Sequence, residues 1–470
     1  MENKSAIDMT IGTEWKQILR FSLPIMLGHA LQQLYNAVDS IVVGNFAGAT
    51  KAISERYIAA IGGGVALMFL FLAMAVGLGM GGGIQISQFY GARRYKLLRR
   101  TASTQIITMG AVGMVLSAIA FIFARPLLST VMNYQDPLML QDAVRYYKVA
   151  GLGVVFVYIY NAIASNLNAI GDSKATLYFL AISSVMNIVL DLVFVICFHW
   201  DLVGVAVATV ISQIASCVAA FIYMIKKYPM LDIRGEDFVF DFERLKTTLR
   251  FGVPSIIQQS IISVGNIFMQ RLINGFNWTA LISGYAVGNR MESFAFVPIF
   301  SLASGVSTFT GQNTGADRLD RVYKGRKVAT IMVLSLSLII SFSIYLVAPD
   351  FARVFGLSSD SLRIAVEYQR FMSFVIIIFA LYIPTSATLT GSGDTMTSTL
   401  TSITSLFVRV SSAYLLVYVF DYGYKASWLT VPLGWIFGAT IAFARFSSGK
   451  WKEKSVFKRD AGLLLEFEEV

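Results

Sequence analysis

Phe21-Ser-Leu-Pro24, at the head of a long apolar run, returns 230 residues later as Phe251-Gly-Val-Pro254 at the head of another. The same shift pairs Asn36 with Asn266 and Phe46 with Phe276. Further along, Gln88-Phe-Tyr-Gly-Ala92 aligns with Gln312-Asn-Thr-Gly-Ala316 at a shift of 224. Ala143-Val-Arg-Tyr146 then aligns with Ala365-Val-Glu-Tyr368, and Gly171-Asp172 with Gly393-Asp394, both at 222. Matches that recur in order at nearly one offset mark a duplicated chain.

The duplicated unit is a set of apolar segments. Of 470 residues, 56% are hydrophobic and 14% charged, where a water-soluble fold is closer to half apolar and about a quarter charged. That balance excludes a soluble enzyme, a disordered chain and a nucleic-acid-binding domain. Runs of about 20 mostly apolar residues, enough to cross a bilayer as a helix, predict twelve spans near 17–46, 55–89, 101–124, 141–170, 175–198, 202–225, 246–275, 279–312, 327–348, 361–390, 396–420 and 427–446. Six spans per half is an even number, so both halves enter from the same side and the repeat is parallel. The expected fold is all-α and integral to the membrane: twelve transmembrane helices in two pseudo-symmetric six-helix lobes. Residues 1–225 form the expected N-terminal lobe, 226–245 a cytoplasmic linker, 246–446 the C-terminal lobe and 447–470 a basic cytoplasmic tail.

Orientation follows from basic residues, which mark cytoplasmic loops. Five follow span 2 (Arg93, Arg94, Lys96, Arg99, Arg100), and comparable groups follow spans 6 and 8. The tail adds Lys450, Lys452, Lys454, Lys458 and Arg459, a stretch expected to lie against anionic lipid. Both termini are therefore expected in the cytoplasm, with the excess of ten positive charges explained by these loops rather than by nucleic acid. The polar start, Met1 to Trp15, precedes an apolar run too long for a signal-peptide core, so span 1 is expected to stay in the membrane.

Ionisable side chains at bilayer depth are costly and mark function by default. Asp39 in span 1 and Asp191 in span 5 lie about seven residues from the outer ends of their helices, as does Thr209 in span 6. At about 1.5 Å per residue, all three sit about 10 Å below the outer face. Asn187 is one turn from Asp191 on the same helix face. Two carboxyl groups at one depth in a low dielectric can hold a proton near neutral pH, or bind Na⁺ with oxygens of Asn187 and Thr209, since hard cations prefer oxygen ligands. Tyr35 and Asn36, a turn deeper, are weaker candidates for the same pocket. The second half does not repeat the cluster, since Asp39 maps to Met269, Asn187 to Arg409 and Asp191 to Ala413. It carries Arg290 and Glu292 in span 8 and Arg409 in span 11 instead, with a Glu292–Arg409 pair or a share in pocket or gate as the two readings.

Pro24 followed by Leu31-Gln-Gln-Leu-Tyr-Asn-Ala-Val-Asp39, the two Gln-x-x-Gly-Ala segments and Gly288-Asn-Arg-Met-Glu-Ser-Phe294 together resemble the multidrug and toxic compound extrusion (MATE) transporters over essentially the whole chain. The resemblance implies a secondary antiporter that expels organic, often cationic drugs or toxins from a central cleft while protons or Na⁺ run inward. It implies an ion-coupling cluster at Asp39, Asn187, Asp191 and Thr209, and a bend of span 1 near Pro24. It also implies a monomer in the cell membrane, the inner one where there are two, with small-molecule substrates, membrane lipids and no cofactor beyond the coupling ion. A lipid-linked precursor flippase of the same superfamily is the alternative, although the extra spans and strongly basic cavity usual there are not evident.

Other signals carry less. Gly77-Leu-Gly-Met-Gly-Gly82 fits a dinucleotide fingerprint but lies inside an apolar span with no preceding strand, so its glycines are expected to allow close helix approach. No phosphate-binding Gly-x4-Gly-Lys run is present, and neither His29, His199, Cys197 nor Cys217 has a matched catalytic or metal partner, so no enzyme is expected. Asp172 and Asp394, each after a glycine, are expected to cap the helices that follow.

Overall fold

The computed structural model describes residues 6–456 except 49, 132–135 and 356. The tail residues Lys458 and Arg459, and the side chain of Asn36, lie outside the described ones. Among the described residues the chain is helical, with no strand. Span 1 is Glu14–Val42, span 2 Lys51–Gly91 and span 3 Tyr95–Ile122. Span 4 is a pair, Pro137–Leu152 and Val154–Ala169, bent by 41°. Spans 5 and 6 are Ser173–Leu192 and Asp201–Lys227. The second set comprises span 7 (Phe242–Asn274), span 8 (Thr279–Gly315), span 9 (Leu319–Val354), span 10 (Ser359–Gly391), span 11 (Thr395–Tyr418) and span 12 (Ala426–Ser447). Nine of these helices and the bent pair are long and apolar enough to cross a bilayer. Spans 1 and 7 complete the twelve, diluted by polar residues such as Gln32, Gln33 and Asp39 in one and Gln258, Gln259 and Gln270 in the other. Each also holds a repeat proline, Pro24 or Pro254, within its helix.

Contacts divide the chain into two compact units that do not simply follow chain order. One takes Pro24–Tyr90 and Arg94–Ile256; the other takes Asp8–Leu23, Gly91–Arg93 and the chain from Ile257. In the first unit span 4 packs on spans 3 and 6, and span 5 packs on span 6. The bend of span 4 falls at Gly153, where a Cβ would lie 2.3 Å from Gln213 Oε1 and 3.2 Å from Val210, so glycine permits the helix to close on span 6. In the second unit span 10 is the core helix, flanked by spans 8, 9 and 12.

Two polar clamps explain motifs that carry no transport chemistry of their own. In the second unit, the buried Met9 N–H donates to Gln312 Oε1 at 2.9 Å, and Asn313 Nδ2 donates to Met9 O at 3.1 Å. Arg321 donates to Asn313 Oδ1, Met9 O and Gly12 O and pairs with Glu14 at 3.3 Å. In the first unit Gln85 Nε2 donates to Thr248 Oγ1 at 2.7 Å, fixing the start of span 7. The glycine run of span 2 serves the same approach: a Cβ on Gly81 would lie 2.3 Å from Thr248 O, and one on Gly77 would lie 2.6 Å from Ile256 N.

Asp172 caps span 5, accepting from Ala175 N at 3.2 Å, and also accepts from the hydroxyls of Tyr223 and Tyr228. Asp394 departs from the expected cap. It makes no side-chain bond to the backbone of span 11 and accepts instead from Arg445 Nε at 2.6 Å and Thr397 Oγ1 at 2.9 Å. A neighbouring guanidinium outbids an amide for a carboxylate because charge-assisted bonds are the stronger ones. Past span 12, Trp451 is buried and stacks on Phe446 with ring centroids 5.3 Å apart, so the start of the basic tail is folded against its own unit.

Candidate functional site

Spans 1, 5 and 6 bring the four expected ion-coupling residues together in the first unit. Asp39 and Asp191 stand at the last turn of their α-helices, and each helix then widens into a π-turn, Val43–Ala47 after span 1 and Val193–Cys197 after span 5. Such turns recur at functional sites because they re-aim side chains within a helix. The two carboxyl groups lie within hydrogen-bonding reach of each other. Asp191 and Asn187 are buried, at 0% and 3% exposure. Oδ1 of Asp39 and Oδ1 of Asp191 are both buried without a protein donor.

Asn187 sits between Asp191 and Thr209. With its nitrogen toward Asp191 it donates to Oδ2 at 3.1 Å, and its oxygen accepts from Thr209 Oγ1 and Thr209 N, each at 3.3 Å. The reverse orientation would set the amide oxygen against the carboxylate, so the first is the arrangement an ionised Asp191 selects. Thr209 Oγ1 also reaches Val205 O at 3.0 Å, one turn back along span 6. Tyr35 lies close to Thr209 and within electrostatic reach of both carboxyl groups. Tyr146 of span 4, buried and within electrostatic reach of Asp39 and Asp191, also borders the pair. Sequence reasoning passed over Tyr146 as a site residue, although it had already appeared as one end of the repeated Ala-Val-x-Tyr match.

The second unit carries a different cluster. Glu292 accepts from Tyr368 OH at 2.5 Å, and Tyr368 OH also lies 3.4 Å from Asn289 Oδ1. Arg409 acts on Glu292 and Tyr285 electrostatically and keeps a buried Nε without a partner. The hydrogen-bonding partner of Glu292 across the helices is therefore Tyr368 rather than Arg409. Arg290, two residues from Glu292, is exposed and stands apart from both.

An all-helical membrane protein with a doubled six-span pattern and a carboxyl pair in one repeat has the build of a membrane transporter. The MatE family model matches residues 24–193 and again 254–415, starting at the two repeat prolines. The chain belongs to the MATE family of membrane transporters and is not an enzyme. It is 25% identical to the probable multidrug resistance protein YpnP of Bacillus subtilis, over 96% of this chain and 99% of that one. A second B. subtilis relative, probable multidrug resistance protein YoeA, is 26% identical over 94% and 95%. Two solved structures share the fold. An outward-facing multidrug resistance MATE transporter superposes with a TM-score of 0.86 at 23% identity, over 96% of this chain and all of the other. A transporter of the same superfamily from Pyrococcus furiosus gives 0.87 at 23%, over 96% and 99%.

Proposed function

We propose that this chain is a secondary active antiporter that exports organic, often cationic compounds, drugs or toxins among them, by alternating access in exchange for inward-moving protons. The observation that carries the coupling is the Asp39–Asp191 pair, two carboxyl groups in mutual hydrogen-bonding reach, each with a buried oxygen that no protein donor meets. A hydrogen bond between two carboxyl groups needs a proton on one of them, since an ionised carboxylate only accepts. Na⁺ would instead require converging oxygens, which the Asn187 amide and the Thr209 hydroxyl could supply only with the amide oxygen turned inward. The names of the B. subtilis relatives support the choice of drugs as cargo. The basic loops support cytoplasmic termini, and the reading takes the chain to work as a monomer in the cell membrane.

In this reading protonation of the pair replaces repulsion by a shared hydrogen bond at the ends of spans 1 and 5. The helix ends then move, with Pro24 as the interruption about which span 1 bends. Efflux from proteoliposomes, with pH and Na⁺ gradients imposed one at a time, tests it. A pH gradient alone is expected to drive export in the wild type and fail in Asp39→Asn and Asp191→Asn. Undiminished gradient-driven export by Asp39→Asn overturns the assignment, and export driven only by Na⁺ overturns the choice of ion.

A further inference from the structure

Arg290 belongs to neither cluster. It lies eleven residues into span 8, about 16 Å along the helix and so near the middle of a hydrocarbon layer about 30 Å thick. It is exposed there, and among the described residues no acidic side chain pairs with it. Glu292 is turned about 200° away round the helix and is engaged by Tyr368. A guanidinium at that depth does not face lipid tails; it faces water or a partner.

The face it shares is unlike the lipid faces of the same unit. Ala286, Arg290, Ser293, Phe294, Phe300 and Ser304 are exposed at helical spacing along span 8. The exposed residues midway along span 9 are Ser335, Leu338, Ile339, Phe342 and Ser343, and on span 11 Leu400, Phe407 and Ser411, none of them charged. A charge at this depth, flanked by small, polar and aromatic residues, describes a wall of a route that admits water and amphiphiles. At one end of that wall Phe300 enters an aromatic group, with its ring centroid 5.8 Å from those of both Phe296 and Phe379, and Phe379 4.9 Å from Trp435. Ten residues separate Arg290 from Phe300, a rise of about 15 Å, which is the length of a drug-sized amphiphile.

We propose that this face of span 8 binds transported aromatic amphiphiles that carry an anionic group, Arg290 pairing with the anion and the ring edge at Phe300 taking the aromatic body. The inference rests on the efflux reading and extends its substrate class to acids and zwitterions as well as cations. A guanidinium meets a carboxylate through two parallel N–H donors, which lysine cannot reproduce.

The test uses one rhodamine dye as the free carboxylate and as its ethyl ester, the same ring system with and without the anion. Binding to the purified, detergent-solubilised full chain is read by fluorescence anisotropy, and efflux is read in proteoliposomes. Arg290→Gln is expected to weaken carboxylate binding about tenfold or more and leave the ester within about twofold, with Arg290→Lys in between. Equal effects on the two dyes, no effect on either, or no binding of the carboxylate by the wild type overturns the proposal. Arg290-dependent binding without efflux of either dye would sustain this site and count against the efflux reading instead.

Discussion

Tyr146 and Tyr368 occupy the same place in the two repeats, and each acts on acidic side chains of its own unit: Tyr146 within electrostatic reach of Asp39 and Asp191, Tyr368 donating to Glu292 at 2.5 Å. The duplication has kept a tyrosine on the fourth helix of each set while the carboxyl groups moved to different helices. Tyr368→Phe removes the donor and leaves a desolvated carboxylate short of one bond, a loss of about 1–3 kcal/mol. Thermal unfolding of the purified variant is expected to shift down accordingly. A melting temperature equal to wild type would show that Glu292 finds another donor.

Asn187 bridges Asp191 and Thr209. Leucine at this position keeps the volume and removes all three bonds, so Asp191 loses that amide donor. Gradient-driven efflux by Asn187→Leu is expected to fall about tenfold, the effect of about 1.4 kcal/mol, because the carboxylate is no longer oriented toward Asp39. Thr209→Val is expected to do less, since part of that hydroxyl's bonding is a local bond to Val205 O. Transport assays of the two variants side by side check the order, and a larger loss for Thr209→Val would reverse it.

Arg321 reaches Met9, Gly12, Asn313 and Glu14 at once and holds the segment before span 1. Arg321→Ala leaves the Met9 and Gly12 carbonyls without that donor. Bonds to a charged group contribute about 1.5–3 kcal/mol each and do not simply add, so local unfolding of residues 9–14 is expected well before global unfolding. Hydrogen exchange should show faster exchange at Met9 N in the variant and unchanged protection in span 10. Equal protection at Met9 would mean that Gln312 and Asn313 suffice.

Much of this was legible in the sequence, and the reason differs from part to part. The spans, the repeat and the acidic pair could be read because a bilayer imposes one length and makes every buried charge stand out. Asp39, Asn187, Asp191 and Thr209 converge because equal depth on neighbouring helices leaves only helix rotation to decide. Rotation is what the one-dimensional pattern left open. It sets Tyr368 rather than Arg409 on Glu292, turns Arg290 away from both, and gives Asp394 to Arg445 rather than to a backbone N–H. The grouping of Asp8–Leu23 apart from the rest of span 1 was equally hidden, because nothing in composition marks which neighbours a helix keeps along its length.

Gly79 and Gly81 sit two residues apart on span 2 and are expected to respond in opposite ways to a side chain. A Cβ on Gly81 would meet Thr248 O at 2.3 Å and Gly252 N at 2.7 Å, both backbone atoms of span 7, so no rotamer change relieves it. Overpacking costs about 1–3 kcal/mol where side chains can yield, and more where helix backbones must separate. Gly81→Val is expected to lose the folded, monodisperse protein on size exclusion. At Gly79 the nearest atom is Asn161 O at 3.6 Å, an ordinary contact. Alanine there also favours the helix by up to about 1 kcal/mol over glycine, so Gly79→Ala is expected to keep or raise the melting temperature. A fall as large as that of Gly81→Val would mean that span 2 needs the glycine for bending rather than for close approach.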